Sequence, residues 1–410
     1  MDKLNVFINQ NRAGELWLDD QRRFCFQYDE TWLNSPKSYR LSTCLPLRQD
    51  PFLANTPFSY FANLLPEGRI LDVLSRKLQI SVNNTFELLK AIGGDCAGAV
   101  SLYEDNSFPP RPKDYSYAPL TKKRLAKVIE TLPDNPFMAD EQGIRLSLAG
   151  AQEKLPVFLD KDSSIQIAKK GAPSSHILKT PIKELQGSVE NETYCMMLAQ
   201  NMGLLVPEVQ IIRVNTIPLY VVKRFDRKIK KGLLYRVIQE DFCQGLNVDP
   251  QLKYTPTIQE CFSLIRKESA SQIRDIRRLL ELVIFNGLIG NSDAHAKNIS
   301  LIHDENGTTL APFYDLLSTW IYPYAKKMAM KIGGGRHFQF LTPDHFKQFA
   351  QDTGIKYRIV KEMVADMSGK ITLASKKTTE NFCDLYGDST TVNEVNKVIH
   401  QAAQAKISIF

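Results

Sequence analysis

The chain has 410 residues, 43% of them hydrophobic and 24% charged, which is material for a large core and more length than one domain usually takes. No window approaches the roughly 18 unbroken apolar residues of a membrane helix, and MDKLNVFINQ has neither a basic start nor an apolar signal core; the expectation is a cytoplasmic protein without membrane contact. Seven scattered cysteines with no CxxC pair argue against a disulfide framework and a zinc site, and a formal charge of +7 suits an acidic ligand better than a nucleic-acid arm.

Residues 1–110 read as an α/β N-terminal subdomain. Short strands are expected at Leu4–Ile8, Arg23–Tyr28 and Val100–Tyr103, around helices at Gly68–Lys77 and Thr85–Ile92, and the most distinctive segment is FANLLPEG, Phe61–Gly68. The Pro-rich run 105–118 reads as a connector. Residues 120–246 predict a small sheet, with strands at Leu155–Leu159, Ser164–Ala168, His176–Thr180, Val209–Val214 and Pro218–Phe225, and one helix at Ser188–Met202 ended by Gly203. The clusters Arg227, Lys228, Lys230, Lys231 and Arg274, Arg277, Arg278 read as solvated faces. Residues 247–410 turn helical, with Ile276, Leu279, Leu280, Val283, Ile284 and Leu288 at helical spacing before Gly290. A β-rich piece followed by an α-rich one predicts an α+β, two-lobed molecule with a cleft between the lobes.

The chemistry concentrates after Gly290. In GNSDAHAKN, Asp293 and Asn298 stand five apart, the spacing of the aspartate and asparagine in a protein-kinase catalytic loop. There a carboxylate orients the incoming hydroxyl and takes its proton, while an amide oxygen gives Mg²⁺ a hard, neutral ligand. Taken alone, the spacing also fits an Asx-rich loop at a helix end. Downstream of a hairpin (300–311), Phe313-Tyr314-Asp315 sets one carboxylate behind aromatic residues, where a kinase keeps a metal-binding aspartate, although no glycine follows. Upstream, the small residues of Leu148-Ala149-Gly150-Ala151-Gln152-Glu153-Lys154 form either a plain turn or a nest of backbone N–H groups for phosphates, without a G-x-G-x-x-G or Walker pattern. Lys179 ends an apolar strand, as a phosphate-pairing lysine does. Backbone groups near Lys223 and Phe225 lie where an adenine-binding hinge is expected.

Together these segments resemble the HipA family of bacterial toxin kinases, members of type II toxin–antitoxin modules. The motifs are S-[VL]-A-G-A-Q-E-K at Ser147–Lys154, [TS]-H-I-[IL]-K at Ser175–Lys179, R-F-D-R at Arg224–Arg227, Q-E-D at Gln239–Asp241, D-[AG]-H-A-K-N at Asp293–Asn298 and P-F-Y-D at Pro312–Asp315, in family order. The resemblance covers nearly the whole chain and implies a protein-kinase-like fold: a β-rich N-lobe with an extra N-terminal subdomain, and an all-α C-lobe, 247–410, carrying the catalytic loop. It implies Asp293 as catalytic base, Asn298 and Asp315 as Mg²⁺ ligands, and Lys179 and the loop Leu148–Lys154 as contacts for ATP. His295 would take the place of a phosphate-steadying lysine, with Lys297 beside it, and Ser147 would be the autophosphorylated serine. Phosphoserine there would put about −2 charge where phosphates must bind, so modified enzyme should be inactive. Lys223 replaces an acidic residue often seen before R-F-D-R. The implied partners are a HipB-like helix-turn-helix antitoxin, operator DNA through that complex, and a substrate in translation such as an aminoacyl-tRNA synthetase. Two other readings are a small-molecule kinase of the aminoglycoside-phosphotransferase type and a non-catalytic co-repressor.

Overall fold

The computed structural model describes residues 2–36, 38–138, 146–150, 152–324 and 326–410. The chain opens with β1 (Lys3–Ile8), β2 (Asn11–Leu18), β3 (Phe24–Tyr28), β4 (Phe52–Leu53) and β5 (Val100–Tyr103), an antiparallel sheet in the order β4-β3-β2-β1-β5. In β1 the alternation holds up to Val6, with Leu4 and Val6 buried and Lys3 and Asn5 turned outward; past a bulge, Phe7 and Ile8 are both buried. β2 carries no such signal because Gly14 interrupts it. A Cβ at Gly14 would collide with the Gln27 carbonyl of β3, so the strand gives up pattern for close approach.

The second sheet contains β6 (Ser116–Pro119), β7 (Lys154–Leu159), β8 (Ile165–Lys169), β9 (His176–Lys179), β10 (Val209–Val214) and β11 (Ile217–Lys223), in the order β10-β11-β9-β7-β8-β6. The end of the expected connector is thus a strand. Tyr117 of β6 stacks on Phe158 of β7 with centroids 4.1 Å apart, and Pro119 is tolerated because β6 lies at the sheet edge. One hydrophobic cluster runs from Leu4, Phe26, Phe61 and Leu89 through Leu155, Leu178 and Val221, so the division near residue 110 separates two sheets and not two cores.

A second cluster fills the helical half and takes in the helix Ser188–Asn201. That helix is buried on nearly every side, which places Glu192 in the interior at the end of β9. β12 (Arg227–Lys230) and β13 (Leu233–Arg236) form a ribbon, and β14 (Ile238–Asp241) extends the expected hairpin, β15 (Ser300–Asp304) and β16 (Gly307–Leu310), into three strands. Apart from that hairpin the C-terminal half is helical, and no described helix is long and apolar enough to cross a membrane. The helix Gln272–Ile289 stops at Gly290, whose φ of 69° closes the turn and releases residues 291–298 toward the sheet lobe.

Two of the basic clusters are not solvated faces throughout. The Arg227 side chain is 1% exposed and pairs with Asp95 and Asp226 at 2.8 Å each. Arg278 donates to the carbonyls of Leu310 and Ala311 at 2.7 and 2.8 Å, tying the hairpin to the long helix. Arg274, Arg277, Lys228 and Lys230 remain exposed, as expected.

Candidate active site

Lys179, the last residue of β9, reaches Glu192 at 2.7 Å and Asp315 at 2.8 Å, joining the sheet lobe, its companion helix and the helical lobe at one point. Burial works against the Lys179 charge, but Asp315 and Glu192 outweigh it and hold the ammonium well above its ordinary range. The same pairing governs Asp315: loss of solvent would raise the carboxyl, yet Lys179 brings it down to about 2. Asp315 adopts φ 59°, a left-handed conformation in a non-glycine residue, and such strain is kept where a side chain must be aimed.

The loop after Gly290 is shaped by its own hydrogen bonds. The Asp293 N–H donates to Asn291 Oδ1 at 3.0 Å, the His295 N–H to the Asp293 carbonyl at 2.8 Å, and the Asn298 side-chain amide to the same carbonyl at 3.2 Å. With its nitrogen so used, Asn298 keeps its amide oxygen for a cation. Asp293 is exposed and takes a hydrogen bond from the Tyr254 phenol at 2.7 Å. His295 is 5% exposed and its buried Nδ1 has no hydrogen-bond partner. Burial, helped by the Lys253 charge, pulls its pKa down against Asp293 and, more weakly, Asp315, which favours the neutral imidazole. The Tyr254 ring also packs edge-on against His295 with centroids 5.1 Å apart, so Asp293 and His295 line one space.

The loop before β7 closes that space. Gly150 has φ 105°, and a Cβ there would come 2.6 Å from Lys154 Nζ, which curls back to the Ala149 carbonyl at 2.5 Å. Gln152 donates to the Thr180 carbonyl at 3.1 Å and Glu153 accepts from the Thr180 hydroxyl at 3.3 Å, so both side chains are fixed beside Lys179 and the backbone is left to meet a ligand. Leu148 points into the core, and Ala151 lies outside the described residues. Ser147 is fully buried: its hydroxyl donates to the Leu64 carbonyl at 2.8 Å and its N–H to the Asp95 carbonyl at 3.1 Å. Hard oxygen donors on Asp315 and Asn298, two cations at Lys179 and Lys154, and a side-chain-free bend at Gly150 suit a divalent metal carrying a polyphosphate.

Two expected contacts lie elsewhere. Lys297 is 6% exposed and turned away from the space, bonded to Asn63 Oδ1 at 2.6 Å and paired with Glu67 at 3.2 Å and Asp241 at 3.5 Å. It is a strut between the loop and the N-terminal subdomain, because Asn63 and Glu67 hold its ammonium. Lys223 gives its N–H to the Glu208 carbonyl and its exposed ammonium to the Glu208 carboxylate, both at 3.0 Å, so neither group is free to read a base. Phe225 does sit at the cleft, stacked on Tyr314 at 5.4 Å, one residue before Asp315. In R-F-D-R, Arg224, Asp226 and Arg227 turn inward and Phe225 alone faces the lobes' junction.

Sequence reasoning missed Glu192, Tyr254, Asn63 and Glu67. Glu192 had a signal, as an acid on the helix following the lysine strand. Asn63 and Glu67 lie in FANLLPEG, which stood out in the sequence without a role, and Tyr254 had no signal because its partner Asp293 is 39 residues away.

Comparison with known proteins places the whole chain in one family. The HipA N-terminal domain model matches residues 4–103, and the HipA-like C-terminal domain model matches residues 146–374. The protein Y4mE of Sinorhizobium fredii, named as a kinase, is 37% identical over 99% of this chain and 99% of its own length. The serine/threonine-protein kinase toxin HipA of Shewanella oneidensis is 30% identical over 80% of this chain and 78% of its own. The solved complex of Shewanella oneidensis MR-1 HipA, HipB and operator DNA contains a chain that superposes with a TM-score of 0.85 at 26% identity, covering 98% of this chain and 96% of that one.

Proposed function

This chain belongs to the HipA family of kinases, and from that premise we propose that it transfers the γ-phosphoryl group of ATP to a protein serine or threonine as the toxin of a toxin–antitoxin pair. The observation that carries the reading is Lys179 bridging Glu192 and Asp315, with Asp293 joined to His295 through Tyr254 and to the Asn298 side chain through its carbonyl. Bound Mg²⁺ and ATP would supply the transferable phosphoryl group and the positive charge that offsets its oxygens. Asn298 and Asp315 are the metal's ligands in this reading, and Lys179 and Lys154 with the 149–153 backbone hold the phosphates. Asp293 orients the acceptor hydroxyl and takes its proton. His295, neutral, steadies phosphate oxygens by donating a hydrogen bond. The solved Shewanella oneidensis complex of HipA with HipB and operator DNA supports a HipB-like antitoxin and operator binding through it. A translation component such as an aminoacyl-tRNA synthetase is the target class the family resemblance implies.

Ser147 is proposed as the self-inactivating site. Its hydroxyl is sealed against the Leu64 carbonyl, so the loop must leave its seat before Ser147 can be phosphorylated, most readily by a second molecule. A phosphoserine cannot return, because a dianion would face carbonyl oxygens in a dry pocket. Purified protein given Mg²⁺ and ATP should gain one phosphate at Ser147 by intact-mass and peptide measurement, and Asp293→Ala should gain none. Unmodified wild-type protein after prolonged incubation would remove the self-inactivation proposal, and phosphate gain by Asp293→Ala would remove Asp293 as base.

Lys154 offers a separate check on the phosphate loop. Loss of solvent, and after it the Lys179 charge, lowers its pKa to about 8. Phosphate oxygens arriving at the loop should restore the proton, so at pH 8 nucleotide binding should take up about half a proton, falling toward zero below about pH 7 where Lys154 is already charged. Calorimetry in buffers of different ionisation enthalpy reads this directly. A buffer-independent enthalpy at pH 8, or uptake unchanged in Lys154→Met, would place the phosphates elsewhere.

A further inference from the structure

We infer that Tyr254 is a positioning residue for the base, fixing the Asp293 carboxylate through its phenol, and that the N-terminal subdomain sets Tyr254 in place through Glu67 and Lys253. The inference rests on the reading of Asp293 as base. The other hydrogen bonds of Asp293 use its backbone: its N–H donates to Asn291, and its carbonyl accepts from the His295 N–H and the Asn298 side chain. They shape the loop but leave the side-chain torsions free, and an exposed aspartate otherwise spreads over several rotamers. The bond from Tyr254 Oη to Asp293 Oδ1, at 2.7 Å, supplies the missing restraint. It engages one carboxylate oxygen and leaves the other to meet an acceptor hydroxyl. The ring also meets His295 nearly edge-on, with centroids 5.1 Å apart and planes at 86°, so one side chain touches both candidate catalytic groups.

Tyr254 cannot hold itself there. It follows a single 3₁₀ turn, Pro250–Leu252, and is 53% exposed. Its neighbour Lys253 reaches Glu67 at 2.9 Å, in a pair whose side chains are 18% and 15% exposed, and the ammonium lies 5.4 Å from the Tyr254 ring centre. Glu67 also holds Lys297 at 3.2 Å and gives its N–H to the Gly150 carbonyl at 3.3 Å. The segment FANLLPEG therefore touches the phosphate loop, the catalytic loop and, through Lys253, the residue that aims the base. A kinase built only from residues after 120 would lack this strut.

The test compares wild type, Tyr254→Phe and Asp293→Ala, first without nucleotide by hydrogen–deuterium exchange, then with Mg²⁺, ATP and a dephosphorylated bacterial lysate as acceptor. Tyr254→Phe should exchange faster across 291–298 while the 176–180 strand is unchanged, and should lower kcat about tenfold with the KM for ATP within about twofold of wild type. Unchanged exchange at 291–298 together with unchanged kcat would overturn the inference. So would a raised kcat, which would mean that the phenol competes with the acceptor for the base. Should Asp293→Ala turn over like wild type, the base assignment itself fails, and the exchange result still decides whether Tyr254 orders the loop.

Discussion

Asp315→Ala should lower phosphoryl transfer by about 10³-fold while leaving the chain folded, because it removes charge stabilisation from the point where it is needed and little else. Lys179 would keep Glu192 at 2.7 Å, so no buried ammonium is stranded. The Asp315 side chain is 32% exposed, and alanine at its left-handed φ of 59° adds about 1 kcal/mol of strain at most. Asp315→Asn is the sharper companion, since it keeps shape and loses charge. With Asp315 held ionised down to about pH 2, the wild-type site has its metal-binding charge throughout the working range, and the asparagine variant should be defective at every pH. Single-turnover transfer from labelled ATP measures the effect, and growth after induction without antitoxin reports it in cells. Arrest as strong with Asp315→Ala as with wild type would mean that any toxicity does not come from phosphoryl transfer.

The parts of this site legible in the sequence are those whose geometry is local. Asp293 and Asn298 sit five residues apart on one loop, a spacing that an Asx-rich helix end would also give, and it gained weight only from Asp315 following the next hairpin. Strands such as β10, Val209–Val214, were readable because β-branched residues cluster in a short run, which is a local property. What stayed hidden depends on contacts across the chain. Lys297 lies two residues from His295 and looked like a member of the same site, but Asn63 and Glu67, more than 200 positions away, draw it to the opposite side. Tyr254 follows a lysine in a polar stretch without periodicity, and only folding brings it to Asp293. Charge misleads in the same way: Arg227 and Lys228 are neighbours in a basic run, yet one is sealed and the other solvated.

That contrast yields the largest stability effect expected in the molecule. Asp95 is fully buried and accepts from Arg227 at 2.8 Å, Arg236 at 2.9 Å and the Ser174 hydroxyl at 2.8 Å, while Asp226 takes Arg224 at 2.7 Å and Arg227 at 2.8 Å. Three guanidiniums thus share two carboxylates inside the junction of both sheets. Asp95→Ala would leave all three against one, and breaking such a pair costs about 3–5 kcal/mol, a large share of ordinary folding stability. The melting midpoint should fall by roughly 10 °C, whereas Lys228→Ala, which breaks an exposed pair with Asp304, should move it by no more than about 2 °C. Burial alone would raise the Asp95 carboxyl, but Arg227, Arg236 and Arg224 drive it far below the ordinary value. The stabilisation is accordingly present above about pH 4, the unfolded value, and is lost only as the pH falls through the folded one. A melting curve for Asp95→Ala that overlays that of Lys228→Ala would mean the hub contributes no net stability and the two sheets are held by their shared apolar core alone.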